Sequence, residues 1–212
     1  IAGSTTTNGI ITSNDGITWT AGNSPVASNW TNMIYGGETF VAVSNTGNII
    51  TSRDGRTWTQ RTNLGHSYHG VTYGGETFVA VSNNGRVVSS RDGVTWTVET
   101  TNASRSWLGV TYGNGIFVAV NGSTTSSPRV ITSSNGKTWT EQSLVGSDQW
   151  RDVKYGDGKF VAIGHGSTNR IMTSSDGVTW TYQTAPANNY WEDLEFADGT
   201  WVAVSYSSSA GV

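Results

Sequence analysis

The chain has 212 residues, a formal charge of −3, 13% charged residues and no cysteine. Without a basic run it excludes a nucleic-acid backbone as partner, and without cysteine it excludes disulfides and thiolate metal sites. No stretch reaches the roughly 18 apolar residues that mark a membrane-spanning helix, so no membrane insertion is expected. Twenty-seven Gly and ten Trp, with abundant Ser, Thr and Asn, predict many short strands joined by tight polar turns around an aromatic core, in one all-β domain over residues 1–212. The sequence opens on Ile1 with neither an initiator Met nor a signal peptide, which reads as a processed or excised piece.

In chain order, the first feature is the phrase Ser13-Asn14-Asp15-Gly16-Ile17-Thr18-Trp19, which returns at residues 52–58, 90–96, 133–139 and 174–180. Its tryptophans, Trp19, Trp58, Trp96, Trp139 and Trp180, are spaced by 39, 38, 43 and 41 residues. A period of about 40 with strand-like flanks predicts a β-propeller with one four-stranded blade per repeat. A second phrase begins at Trp30 and recurs at Tyr68, Trp107, Trp150 and Trp191. It predicts a strand A, a Gly-rich turn such as Gly36-Gly37, and a Phe-Val-Ala-Val strand B. Strand C follows, as in Asn48-Ile49-Ile50-Thr51, and the opening phrase turns the chain into strand D. In that phrase Asp15, Asp54, Asp92, Asn135 and Asp176 are turn residues, their side-chain oxygens accepting backbone N–H bonds while Gly supplies positive φ and Trp packs beneath. Asn135 in the fourth copy fits a structural role, since a reactive acid would not tolerate the exchange.

Five in-phase copies of Ser-x-Asp/Asn-Gly-x-Thr-Trp resemble the Asp-box family, also called bacterial neuraminidase repeats, over nearly the whole chain. The resemblance implies a propeller with the box on the outer C–D turn of each blade, away from the ligand face. It implies no activity, because that family runs from sialidases to non-enzymatic binding proteins.

Five full periods cover 202 residues and bring the two ends of the sequence into the same phase. Two arrangements follow. Five blades close as a ring, the last A and B strands pairing with the first C and D strands in a seam; or the chain is a fragment of an array of six or more blades. Closure removes exposed sheet edges and is the favoured expectation.

Sialidase chemistry is argued against: Arg53, Arg56 and Arg91 lie inside the turns on the outer face, and none of the arginines belongs to the Arg-Ile-Pro signature that such enzymes carry before the first box. Asp152 and Asp193, at equivalent A-strand positions, and Glu192 are the candidates for acid–base glycoside chemistry at the channel mouth, with capping of backbone as the alternative. Asn32, Gly70 and Gly109 occupy the same position in the other blades. His66, His69 and His165 are scattered and predict no metal site, and no cofactor is expected.

The B–C and D–A loops share the face opposite the C–D turns and vary most between repeats. Trp30, Tyr68, Trp107, Trp150 and Trp191 stand at the D–A ends beside that face. They are candidate sugar-stacking platforms or, alternatively, inter-blade packing. The expected function is a non-enzymatic recognition module for a glycan or a protein, within a larger secreted, cell-surface or virion-associated protein with flanking domains. A glycoside hydrolase and a purely structural domain of an assembly are the alternatives.

Overall fold

The computed structural model of the chain describes residues 9–99, 101, 105–123, 129–142, 149–165, 171–186 and 189–206. Every regular element among them is a strand. Four meandering antiparallel sheets form complete blades: β3 (Trp30–Gly36), β4 (Thr39–Ser44), β5 (Ile49–Ser52) and β6 (Thr59–Gln60); β7 (Tyr68–Gly74), β8 (Thr77–Ser82), β9 (Val87–Ser90) and β10 (Thr97–Glu99); β11 (Trp107–Gly113), β12 (Ile116–Asn121), β13 (Val130–Ser133) and β14 (Thr140–Gln142); β15 (Gln149–Gly156), β16 (Lys159–His165), β17 (Ile171–Ser174) and β18 (Thr181–Gln183). Two half-blades flank them, β1 (Ile11–Thr12) with β2 (Thr20–Ala21), and β19 (Tyr190–Ala197) with β20 (Thr200–Tyr206). The first strands of successive blades pack against one another and are therefore innermost. This is a β-propeller.

In the four complete blades each second strand reads as an unbroken apolar run because both of its faces are covered. Alternate residues of a strand point to opposite faces. Val41 and Val43 of β4, with Ile49 of β5, pack on Tyr68, Val71, Phe78, Ala80, Val88 and Trp96 of the following blade, while Ala42 and Ile50 pack with Trp30 and Trp58 toward Ile10. The same joint recurs between the next two pairs of blades. At about 1.5–3 kcal/mol per fully buried large aliphatic or aromatic side chain, these joints supply most of the stability.

Two local devices set their geometry. The A–B hairpins turn through two residues of positive φ, such as Gly37 and Glu38 at 50° and 58° or Asn114 and Gly115 at 47° and 78°, the type I′ pattern that matches strand twist. Just before each turn, Gly36, Gly74, Gly113 and Gly156 abut a ring of the next blade: a Cβ there would lie 2.2, 2.0, 2.0 and 2.3 Å from ring atoms of Tyr73, Tyr112, Tyr155 and Phe196. Glycine is required by space, and β19 ends on Ala197 instead.

All five Ser-x-Asp/Asn-Gly turns adopt one hydrogen-bond scheme. In the second copy the Ser52 hydroxyl donates to Asp54 Oδ1 (2.8 Å) and accepts from Gly55 N (2.9 Å). Asp54 Oδ1 accepts from Arg56 N and Thr57 N (2.9 and 2.8 Å), and Trp58 Nε1 donates to the Gly55 carbonyl (3.1 Å). Asn135 accepts from Lys137 N and Thr138 N (both 2.9 Å) with its amide oxygen in the same way. The turn role expected of Asp15, Asp54, Asp92, Asn135 and Asp176 is the observed one.

The expected seam is not formed among the described residues. β1 pairs with β2, β20 pairs with β19, and these remain separate sheets. Twenty strands give four whole blades and the two halves of a fifth.

Candidate functional site

The innermost strands carry a feature the alternation pattern hides. Each first strand is bulged after its opening aromatic residue: register shifts lie between Trp30 and Asn32, Tyr68 and Gly70, Trp107 and Gly109, Trp150 and Asp152, and Trp191 and Asp193. A bulge leaves one residue unpaired and re-aims its side chain. The five bulged residues, Thr31, His69, Leu108, Arg151 and Glu192, all line one cavity of about 550 Å³ at the channel, joined by Asn32, Asp152, Lys154, Asp193 and Glu195. Expectation had fallen on their neighbours on either side, so Thr31, His69, Leu108 and Arg151 were missed. A bulge leaves no periodic trace in a single strand, and only the recurrence of one extra residue between aromatic and strand in all five repeats signals it.

Asp152, Asp193 and Glu192 do meet at this cavity. Glu192 bridges the last two blades: its Oε2 accepts from Arg151 Nε (3.0 Å) and from a terminal guanidinium nitrogen (2.5 Å), and its Oε1 lies 2.7 Å from His165 Nε2. The His165 ring stacks near Tyr190, centroids 4.8 Å apart. Asp152 is buried and tied at both oxygens, Oδ1 accepting from Val153 N (2.8 Å) and Oδ2 from Leu194 N (3.2 Å) of the next blade, with Lys154 Nζ 3.6 Å away. Burial pushes its carboxyl up to about 6, against the opposing pull of Lys154 and the Val153 N–H and with a smaller push from Asp193. Gly70 and Gly109 stand where Asp152 stands because the next blade's backbone is too close there: a Cβ would lie 2.8 Å from the Leu108 carbonyl oxygen and from the Asp152 Cα, respectively. Asp152 thus acts as a staple between blades, and Asp193, its exposed counterpart, faces the cavity.

The aromatic platforms require correction. Trp30, Tyr68, Trp107 and Trp150 are buried in the joints between blades, and Trp191 is half-buried. The ring faces of Tyr68, Trp107 and Trp150 are taken up by the preceding blade's valines and have none left to stack on a sugar, while Trp30 packs among Ile10, Ala42, Ile50 and Trp58 at the edge of the cavity. Their polar atoms, Trp30 Nε1, Tyr68 OH, Trp107 Nε1, Trp150 Nε1 and Trp191 Nε1, are enclosed without a hydrogen-bond partner among the described residues.

The histidines sit on the loop face. Asn83 Nδ2 lies 3.2 Å from His69 Nε2, and Asn84 Nδ2 lies 3.4 Å from His66 Nδ1. Burial lowers both imidazole pKa values, helped by Arg151 at His69 and by Arg86 at His66. Among the described residues, no three His, Asp or Glu side chains gather as metal ligands. The first B–C loop spends its polar groups internally: the Ser44 hydroxyl donates to the Asn48 carbonyl (3.1 Å) and Asn48 Nδ2 donates to Ser28 Oγ (3.1 Å). The wider third and fourth B–C loops, which include residues 124–128 and 166–170, lie largely outside the described residues.

Comparison with solved structures returns propellers. YCF48 bound to D1 peptide superposes at a TM-score of 0.62 with 16% identity, over 85% of this chain and 68% of that one. YCF48 from Cyanidioschyzon merolae gives 0.62 and 17%, over 82% of this chain and 61% of that one, so this chain spans less than two thirds of it. The nidogen/laminin complex gives 0.70 and 11%, over 88% and 76%. At these identities the likeness shows the fold alone. No curated protein matches the sequence. The domain model described as "DUF6242 beta propeller domain" matches residues 2–108, half of the 212-residue chain, and the chain belongs to that family of β-propeller domains.

Proposed function

We propose that the domain is a non-enzymatic recognition module that holds one extended protein segment at the channel mouth. The observation that carries this reading is the ring of bulged residues. Five equivalent positions converge on one cavity, yet they present a hydroxyl, an imidazole, an isobutyl group, a guanidinium and a carboxylate. A chemically uneven ring suits a single asymmetric ligand on the axis, whereas one sugar pocket per blade would call for like residues in each. Buried aromatic rings weaken the glycan reading further, and a peptide supplies the mixed charge and apolar contacts that Arg151, Glu192 and Leu108 would meet. YCF48, which shares the fold, has been solved with a bound peptide. The turn geometry supports placing the repeats in the Asp-box group, and the proposed setting is a larger secreted, surface or virion protein.

Titration against a peptide library and a glycan array tests the reading. We expect peptide binding that falls at least about tenfold, or about 1.4 kcal/mol, in Leu108→Asp and in Glu192→Gln, with the unfolding midpoint of Leu108→Asp held. Glycan binding indifferent to both substitutions overturns it.

A hydrolase is the second reading, favoured by one observation: Asp152, its carboxyl pushed up to about 6, stands close enough to Asp193 to feel its charge. Hydrolysis of a reporter glycoside that disappears in Asp193→Asn would establish it.

A further inference from the structure

One joint between complete blades departs from its repeats in charge. A cleft of about 290 Å³ lies between the first complete blade, which contributes Thr51, Thr59, Arg53 and Arg61, and the turn of the second, which contributes Asp92 and Val94. Thr51 and Thr59 are paired across β5 and β6, so their side chains share one face of the sheet. Arg61 Nε donates to Thr51 Oγ1 (2.8 Å). In the third and fourth blades a glutamine makes this contact, Gln142 Nε2 to Thr132 Oγ1 (2.8 Å) and Gln183 Nε2 to Thr173 Oγ1 (3.0 Å). The sheet therefore needs no guanidinium there. Arg53 corresponds to Arg91, Ser134 and Ser175 in the other complete blades, and Arg61 corresponds to Glu99 in the second. Only the first complete blade brings two guanidiniums to this position. Neither forms an ion pair among the described residues. Asp92 directs its Oδ1 into its own turn, accepting from Val94 N and Thr95 N (both 2.8 Å).

We propose that this cleft binds a side-chain carboxylate of an acidic protein segment, at a site separate from the channel cavity, with which it shares no residue. A guanidinium presents paired N–H donors that match a carboxylate, and two of them on one wall give a strong, directional oxyanion site. Asp92 beside them repels a doubly charged phosphate more than a single carboxylate. Its carboxylate also asks for a donor next to the bound anion, and a peptide supplies one in the backbone N–H beside its own acidic side chain. No aromatic ring lines the cleft, so the stacking face that an acidic sugar would use is missing. β6 is the outermost strand of its sheet, which leaves an edge along which an extended segment lies while its carboxylate enters the cleft.

The chain has a formal charge of −3 and repels an acidic peptide at long range, so binding of such a peptide reports a local site. The probe is a blocked peptide with Glu and Asp at alternating positions, titrated at low salt while the arginine Nε–H resonances are followed by NMR. It should shift the Arg61 and Arg53 resonances, and its Gln/Asn counterpart should not. Affinity should fall at least about fivefold in Arg53→Gln and in Arg61→Gln, the latter keeping the Thr51 contact as Gln142 and Gln183 keep theirs. It should hold in Arg91→Gln, which removes the same charge from the next blade, and in Leu108→Asp, which alters the channel. No fall in Arg61→Gln, or an equal fall in Arg91→Gln, overturns the proposal. Loss of binding in Leu108→Asp overturns it by assigning the peptide to the channel. Glucuronate that shifts the same arginines more tightly than the peptide does overturns it in favour of an acidic sugar.

Discussion

The first half-blade and the interior blades contain the same turn in two settings. Trp19 and Trp139 both donate their indole N–H to the turn glycine's carbonyl, at 3.2 Å each. Yet Trp19 is 55% exposed and Trp139 5%. The turn's hydrogen bonds are therefore written locally, within seven residues, and form without packing. Burial is conferred separately, by the neighbouring blade, as Val79 and Val81 do for Trp139. What makes the propeller stable is thus the joint, and the turn only delivers the tryptophan to it.

That separation predicts unequal costs for equal substitutions. Trp139→Ala should destabilise by about 3–5 kcal/mol, in the range for emptying a buried aromatic site, and Trp19→Ala by less than about 1 kcal/mol. Denaturant midpoints of the two variants test this. Similar losses would mean that Trp19 is covered in solution.

The glycine joints give the next largest effect. Gly113→Ala places a methyl about where the Tyr155 ring begins and should cost about 1–3 kcal/mol by overpacking. The reverse change in β19, Ala197→Gly, should cost only about 0.5–1 kcal/mol through backbone entropy. Chemical denaturation measures both, and a cheap Gly113→Ala would show the joint to be adjustable rather than stiff.

Acid titration separates turn from joint again. Asp15 at the end and Asp176 in an interior blade are both lowered to about 2, chiefly by the backbone N–H groups of Thr18 and Thr179. A depressed carboxyl adds stability above its unfolded value of 3.8 that is lost as pH falls through about 2. Asp15→Asn and Asp176→Asn should each remove part of that acid loss without changing the fold, as Asn135 already does in its own turn. Asp152 has the opposite sign. Its carboxyl is raised to about 6, so the stability it contributes is full below about 3.8 and is lost as pH rises through about 6. Asp152→Asn should flatten that decline. Thermal unfolding midpoints from pH 2 to 7 resolve the two slopes, and a decline near pH 6 that persists in Asp152→Asn assigns it to another group.

The fold was legible because its determinants are local and repeat: the Asp/Asn-Gly turns, the two-residue hairpins and the Phe-Val-Ala-Val strands recur at one period. The site was legible only in part. Asp152, Asp193 and Glu192 were found because acids are conspicuous on an inner strand. Thr31, His69, Leu108 and Arg151 were not, because a bulge breaks the two-residue alternation by which a strand's faces are assigned. The aromatic residues at the strand starts were legible as a set but not as core, since burial by the preceding blade is a tertiary fact that a single repeat does not encode.

The smallest effect tests the joint at its polar flaw. Tyr68 is fully buried between the first two complete blades, burial pushes its phenol pKa up, and its hydroxyl has no partner among the described residues. An unpaired buried hydroxyl costs about 1–3 kcal/mol that a phenylalanine would not incur. Tyr68→Phe keeps the ring, and with it the contacts to Val41 and Val43, and should be neutral or stabilising by up to about 1 kcal/mol in urea unfolding. A loss greater than about 1 kcal/mol would mean that the hydroxyl is hydrogen-bonded in solution. The other four blades, where an indole N–H takes its place, would then be expected to hold the same partner, and the joints would owe part of their stiffness to a polar contact repeated around the channel.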